Sequence, residues 1–228
     1  MAEKDVVLMI ADISGYTKFI ATNQMTLEHT HKIVEELIKT IIKQVKIPIK
    51  VAKLEGDAVF LYAIKNGNAA AWKKDVKHIN EKLLSFFDVF SQRIKELAES
   101  TPCKCEACKN IEELRLKVIV HIGKANFYKI DQFTELSGLD VIIVHRLLKN
   151  SVNAKEYILL TDNAFKDINL GAETKTKQGS ETYKDLGSVK THVYFPTHHH
   201  KHIREAQMII RNRDYAHDHS HDHKHVHA

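Results

Sequence analysis

The sequence predicts an α+β domain with a mostly antiparallel sheet packed against helices. Three observations carry that expectation. Short apolar runs of strand length alternate with longer amphipathic stretches, in the order β-α-α-β-β-α-β-β-α-β-α-β-β. The first apolar run, Val6 to Ile10, leads to a carboxylate, Asp12, and then to a Ser14-Gly15 turn that opens a helical pattern. A second turn, Glu55-Gly56-Asp57, lies between two β-like runs and reads as a tight hairpin.

Each element follows from local pattern. A short helix is expected over 16–23. Ile33, Leu37, Ile41 and Val45 recur at i+4, with Val34, Ile38 and Ile42 widening the stripe, so 26–46 should be a core helix capped by Thr26. Pro48 forbids further helix, and a hairpin is expected over 47–64, with strands 47–54 and 58–64. Trp72, Val76, Ile79, Leu83, Phe87, Phe90, Ile94 and Leu97 recur at spacings of three and four. A helix of about 30 residues would span roughly 45 Å, so part of it is expected to project or to meet a partner chain. Strands are expected over 114–123 and 125–131, as hairpin mates, then a helix over 139–151. A strand over 156–160, a short helix over 161–168, a polar loop over 171–180 and strands over 182–186 and 190–195 complete the domain.

Composition narrows the function classes. The chain has 228 residues with 43% apolar content, which suits one compact domain, expected over 1–196 with a cysteine-rich insertion near 101–110. Residues 197–228 form a His-rich tail with almost nothing to bury, expected to be largely disordered and able to capture Zn²⁺, Ni²⁺ or Cu²⁺ adventitiously. No apolar run reaches membrane-spanning length, and Glu3, Lys4 and Asp5 replace a signal peptide's apolar start, so a cytoplasmic location is expected. The net charge of +5 is mild, and lysines are scattered rather than clustered with aromatics. This argues against a nucleic-acid groove but not against an anionic nucleotide.

A strand that delivers Asp12 and turns at once into a helix is a common way to build a metal-phosphate site. Gly15 lets the backbone approach closely, and the first helical amides are unpaired. Asp57 could be brought beside Asp12 by a neighbouring strand, and two converging carboxylates hold Mg²⁺ or Mn²⁺ for phosphoryl transfer. Read singly, each is more often a turn or capping carboxylate, and only the motifs taken together favour the metal pair.

These residues resemble the class III nucleotidyl cyclases, of which the chain looks like a divergent member. Asp12-Ile13-Ser14-Gly15-Tyr16-Thr17 is similar to that family's Asp-Ile-x-Gly-Phe-Thr signature, and Lys53-Leu54-Glu55-Gly56-Asp57-Ala58 to its Lys-x-x-Gly-Asp-Ala hairpin. His121 and Gly123 match the Gly-Ile-His-x-Gly strand, and Gly138 to Leu147 follows the Gly-x-x-Val-Asn-x-Ala-x-Arg-Leu helix. The landmarks keep the family's order over roughly 4–196. The resemblance implies a ferredoxin-like core and conversion of ATP to cyclic AMP and pyrophosphate with two divalent ions at Asp12 and Asp57. Ile13, Gly15, Tyr16 and Thr17 would meet the nucleotide phosphates. Lys53 and Glu135, each three residues before a motif glycine, would read adenine, which favours ATP. Arg146 would stabilise charge on the reacting phosphate, and Lys184 or Lys190 would bind the pyrophosphate. A homodimer is implied, with the carboxylates of one chain facing Lys53, Glu135 and Arg146 of the other.

The departure that matters most is Ile142, which stands where active relatives carry Asn. An apolar side chain can neither orient the ribose nor stabilise the reacting phosphate, so a cyclase-like domain that binds nucleotide or a protein partner without chemistry is the alternative. His145 neighbours Arg146 but projects about 100° away from it on a helix. All three cysteines fall within Cys103-Lys104-Cys105-Glu106-Ala107-Cys108, which rules out a disulfide scaffold. They could hold Zn²⁺ through three thiolates and a fourth ligand from His, water or a partner, or be reduced thiols in a loop. Metal handling as the main role is a further, lesser reading. On its strand, His121 is expected to be a core residue.

Overall fold

The computed structural model describes residues 2–23, 27–100, 105–170 and 176–196. Thr26, Cys103 and the whole His-rich tail therefore lie outside the described residues. Residues 1–195 form one compact unit. Its elements are β1 (Ala2–Ser14), α1 (Tyr16–Thr22), α2 (Leu27–Gln44), β2 (Lys50–Glu55), β3 (Ala58–Ile64), α3 (Ala69–Ser100), α4 (Glu106–Asn110), a 3₁₀ turn (Ile111–Glu113), β4 (Arg115–Ile130), β5 (Phe133–Ser137), α5 (Leu139–Arg146), β6 (Tyr157–Thr161), α6 (Asp162–Asp167), β7 (Thr176–Tyr183) and β8 (Gly187–Tyr194).

The strands make one eight-stranded sheet in the order β2-β3-β1-β4-β6-β8-β7, with β5 paired to β4. Among the described residues, every pairing is antiparallel except β4 with β6. The single parallel pair is where α5 crosses over, since parallel neighbours need a long connection. Strand β1 is central, paired with β3 on one side and with β4 along its whole length on the other. Its side chains alternate between two cores. Val7, Met9, Ala11 and Ile13 join one, built with α2, α3 and α6; Val6, Leu8 and Ile10 join the other, built with Val144 and Leu147 of the α5 region.

Several expectations are corrected. The strand expected to end at Gly123 runs on to Ile130, and its hairpin mate is β5, not 125–131. Helix α3 does not project, because its buried residues run from Trp72 to Ile94 and Leu97 and Ala98 also pack on the core. Residues 47–49 form a turn with a cis Ile47-Pro48 bond, so β2 begins at Lys50. Helix α5 ends at Arg146 and continues only as turns. Part of the expected polar loop is strand, since β7 begins at Thr176.

Gly123 is not a turn residue. A Cβ there would lie 2.2 Å from Asp140 Cγ, so its absence makes room for that carboxylate over the β4 backbone. Asp140, in the first turn of α5, accepts the Lys124 N–H at 2.6 Å and lies 2.8 Å from Nε2 of buried His121. His121 Nδ1 is 2.8 Å from Thr161 Oγ1, so the histidine links β4, β6 and α5 from within. Gly123→Ala should therefore cost about 2 kcal/mol, in the range of overpacked interiors. Chemical denaturation should show that cost shrinking in an Asp140→Ala background; an equal cost in both backgrounds would refute the close approach.

Candidate functional site

Two loops meet at one end of the sheet. Strand β1 ends in Ser14, and Gly15 takes a left-handed conformation (φ 91°) to turn the chain into α1. Gly56 does the same (φ 68°) between β2 and β3. Register places Asp12 opposite Ala58 of β3 and Lys117 of β4. The Ile13 N–H donates to Asp57 O at 3.3 Å, which ties the two turns together. That amide is therefore already engaged, and the Ile13 side chain is core. Gly15 and Tyr16 are partly buried, and Thr17 is exposed.

Alternation puts Asp12 on the α5 side of the sheet, and Lys117 opposite it reaches its carboxylate at 2.9 Å. Both are largely shielded, with side chains 15% and 20% exposed respectively. Lys117 Nζ also donates to Leu148 O at 3.3 Å. Lys117 carries no signal in the sequence, where it reads as an alternating strand lysine. Burial, and then the Asp12 charge, push Asp57 up to about 6; Lys117 opposes the second effect. Two carboxylates with one ammonium, paired to Asp12, form a hard-oxygen set short of positive charge, and this fits a divalent cation.

The structure also brings Lys53 and Glu135 together, 3.6 Å apart, although they lie on β2 and β5. Lys53 is 3.5 Å from Glu55 as well. Arg146 lines a cleft of about 450 Å³ with Val141, Ile142, His145, Lys149 and Tyr183. Ile142, half exposed, and Arg146 share this wall because they are one helical turn apart. Arg146 is 3.6 Å from Asp185 in an exposed pair, which holds it only weakly. His145 shares the wall, but its ring nitrogens face Val141 O at 2.7 Å and the Glu55 carboxylate at 3.1 Å. Its ring also meets Phe60 edge-on at 4.8 Å. Lys149 is a cleft cation that motif reading missed; Lys184 and Lys190 are not among the residues lining this cleft.

Away from the sheet end, Cys105 caps α4 and Cys108 lies within it, with sulfurs 3.4 Å apart. His29, on the first turn of α2, brings Nδ1 to 3.6 Å from Cys105 Sγ. No spacing rule could have found His29, since 76 residues separate it from Cys105.

Sheet order, the two glycine turns and the α5 crossover define a class III cyclase-like fold. The adenylyl cyclase CyaB from P. aeruginosa is similar to this chain with a TM-score of 0.65 and 15% identity, covering 85% of this chain and 94% of that one. The guanylyl cyclase Cya2 is similar with a TM-score of 0.58 and 10% identity, over 85% and 92%. At these identities the likeness establishes the fold. The chain belongs to the family described as protein of unknown function (DUF2652), whose profile matches residues 34–157. An uncharacterized protein of Mycobacterium tuberculosis is 29% identical over 157 residues, 69% of this chain and 70% of that protein. Among the described residues, no helix is long and apolar enough to cross a membrane.

The raised Asp57 gives a pH signature in the metal-free protein. Its folded value lies above the ordinary 3.8, so folding is favoured while the group is protonated. That advantage is whole below pH ~4 and is lost as pH rises to about 6. Asp57→Asn, which cannot ionise, should melt higher than wild type in chelator above pH 6. The gap should narrow towards pH 4. After discounting for solvent screening of a half-buried group, it should be about 2–4 °C, or roughly 1 kcal/mol. A gap that does not change across this range in thermal melts would contradict the assignment.

Proposed function

We propose that this chain is a divergent nucleotidyl cyclase-like protein that binds ATP with divalent metal ions at Asp12 and Asp57. The observation that carries this reading is the convergence of those two carboxylates at one sheet end, held by the Ile13–Asp57 hydrogen bond and short of positive charge. Bound Mg²⁺ or Mn²⁺ would neutralise phosphate charge and polarise the phosphoryl oxygens. The chain's own residues would do the rest. Gly15, Tyr16 and Thr17 border the place where phosphates would lie. Ile13 would act only through its backbone, whose amide already holds the hairpin. Lys53 and Glu135, as donor and acceptor 3.6 Å apart, form a pair suited to the adenine edge. Arg146 and Lys149 would offer cations to the phosphates from the cleft wall.

The assembly we infer is a homodimer. The sheet face carrying Val6, Leu8, Ile10 and Phe60 is covered, among the described helices, by eight-residue α5. The opposite face carries both α2 and the 32-residue α3. Leu139 and Ile142 of α5 remain exposed. A second copy laid on this face would cover them and bring its carboxylates to the first copy's Lys53, Glu135 and Arg146. A cytoplasmic setting and the division into a domain over 1–196 and a tail over 197–228 fit the same reading. Light scattering should give twice the chain mass, and a monomer at high concentration would count against this assembly.

The reaction we infer is attack of a ribose hydroxyl on the α-phosphorus with loss of pyrophosphate, yielding cyclic AMP. One observation favours a second reading, binding without chemistry. Ile142 faces the cleft where an amide donor is needed, and His145 is held by Glu55 and Val141. Ile142→Asn decides between them. A single well-placed donor is worth on the order of 3 kcal/mol, or about a hundredfold in rate. With Mn²⁺-ATP, Ile142→Asn should raise cyclic AMP formation by about that factor over a slow wild type, and Asp57→Ala should abolish the gain. Two inactive proteins that still bind Mn²⁺-ATP would establish the binding reading. If neither protein binds nucleotide as a dimer, the site is overturned.

A further inference from the structure

The geometry points to a second, soft-metal site independent of the nucleotide site: a Zn²⁺ centre held by His29, Cys105 and Cys108. The three ligand atoms, one from each residue, all lie within 4.8 Å of one another. Ordinary Zn–S and Zn–N bonds of about 2.3 and 2.0 Å at tetrahedral angles require roughly 3.8 Å between sulfurs and roughly 3.5 Å between sulfur and nitrogen. The observed values are 3.4 Å for Cys105 Sγ to Cys108 Sγ and 3.6 Å for Cys105 Sγ to His29 Nδ1. A disulfide would need about 2.05 Å, so the sulfurs sit at ligand spacing rather than bonded spacing. Nδ1 faces the Cys105 thiol, and His29 as a whole is exposed.

The donor set has the chemistry of a thiophilic divalent ion. Two thiolates and a neutral imidazole select Zn²⁺ over Mg²⁺ or Mn²⁺, which prefer carboxylate oxygens. This centre and the Asp12/Asp57 pair would therefore hold different metals.

The place in the fold says what the ion would do. His29 belongs to the first turn of α2, and the cysteines belong to α4, so the ion would tie α2 to the segment joining α3 and β4. That segment supports the turn after Asp12. A Cβ on Gly15 would meet Glu113 O at 3.4 Å, and Lys18 of α1 pairs with Glu113 at 2.9 Å. Ala107 and Ile111, beside the cysteines, are fully buried in the α2–α3 core. The ion would thus brace the short α4 against that core and steady the turn carrying Gly15.

The test uses the full, reduced chain with one equivalent of Co²⁺ under argon. Thiolate ligation gives sulfur-to-cobalt charge transfer in the near ultraviolet, which tail imidazoles cannot produce. Wild type should show that band, with tetrahedral d–d absorption, and Cys105→Ser and Cys108→Ser should each lose most of it. His29→Ala should weaken binding against a chelating indicator by at least about tenfold, since even outer-shell partners cost 10–100-fold. His29→Cys should restore affinity and strengthen the charge-transfer band. Should a variant misfold, X-ray absorption of the wild type with one equivalent of Zn²⁺ decides. Two or more sulfurs near 2.3 Å with a nitrogen near 2.0 Å would support the site. A shell of nitrogen only, a shell of sulfur only, no charge-transfer band in wild type, or a His29→Ala variant indistinguishable from wild type would overturn it.

Discussion

The structure depends on a charge placed at the end of a buried strand. Strand β1 is buried on both faces from Val6 to Ala11 and is flanked over that stretch by β3 and β4, so little water reaches it from either side. Asp12 follows directly, and Asp57 is brought next to it by the hairpin that pairs with β1. Two carboxylates in such a place repel each other and lose hydration, as the raised Asp57 shows. Lys117 compensates Asp12 from β4, and its hydrogen bond to Leu148 O extends that compensation towards the end of α5. A single ammonium cannot neutralise two carboxylates, and in the proposed function a divalent cation would supply the missing charge.

The elements around this pair serve to place groups against it. Gly15 and Gly56 allow two sharp turns to approach one another, and the Ile13–Asp57 hydrogen bond fixes their separation. Asp140 locks the start of α5 to β4 through His121 and the space left by Gly123. The start of α5 is thereby set, and helical periodicity then puts Ile142 and Arg146 together on the cleft wall. The chemistry expected of the cleft thus turns on one side chain, Ile142, in an otherwise well-anchored helix.

Much of this was legible in the sequence, for identifiable reasons. The apolar run ending in Asp12, the two turn glycines and the amphipathic stripes of α2 and α3 each reflect a local rule, and the order of motifs resembles that of the class III cyclases. What was not legible depends on contacts between distant segments. Gly123 reads as the end of a strand, whereas here the strand runs on and the missing side chain clears space for Asp140, sixteen residues beyond Lys124. Lys117 looks like any polar residue on an alternating strand until β1 sets Asp12 opposite it. His29 looks like a surface residue of an amphipathic helix, and only the packing of α4 against α2 brings it to the thiols. The length of α3 suggested a part that projects or meets a partner chain, because a stripe reveals that one face is apolar without revealing how far its partner surface extends.

Calorimetric titration of the metal-stripped protein with ATP, with and without Mn²⁺, tests the central claim most directly. If Asp12 and Asp57 form a cation site at the end of β1, ATP should bind appreciably only with Mn²⁺, and Asp12→Asn should remove that dependence together with the binding. ATP binding of equal strength with and without the ion, unaffected by Asp12→Asn, would contradict it.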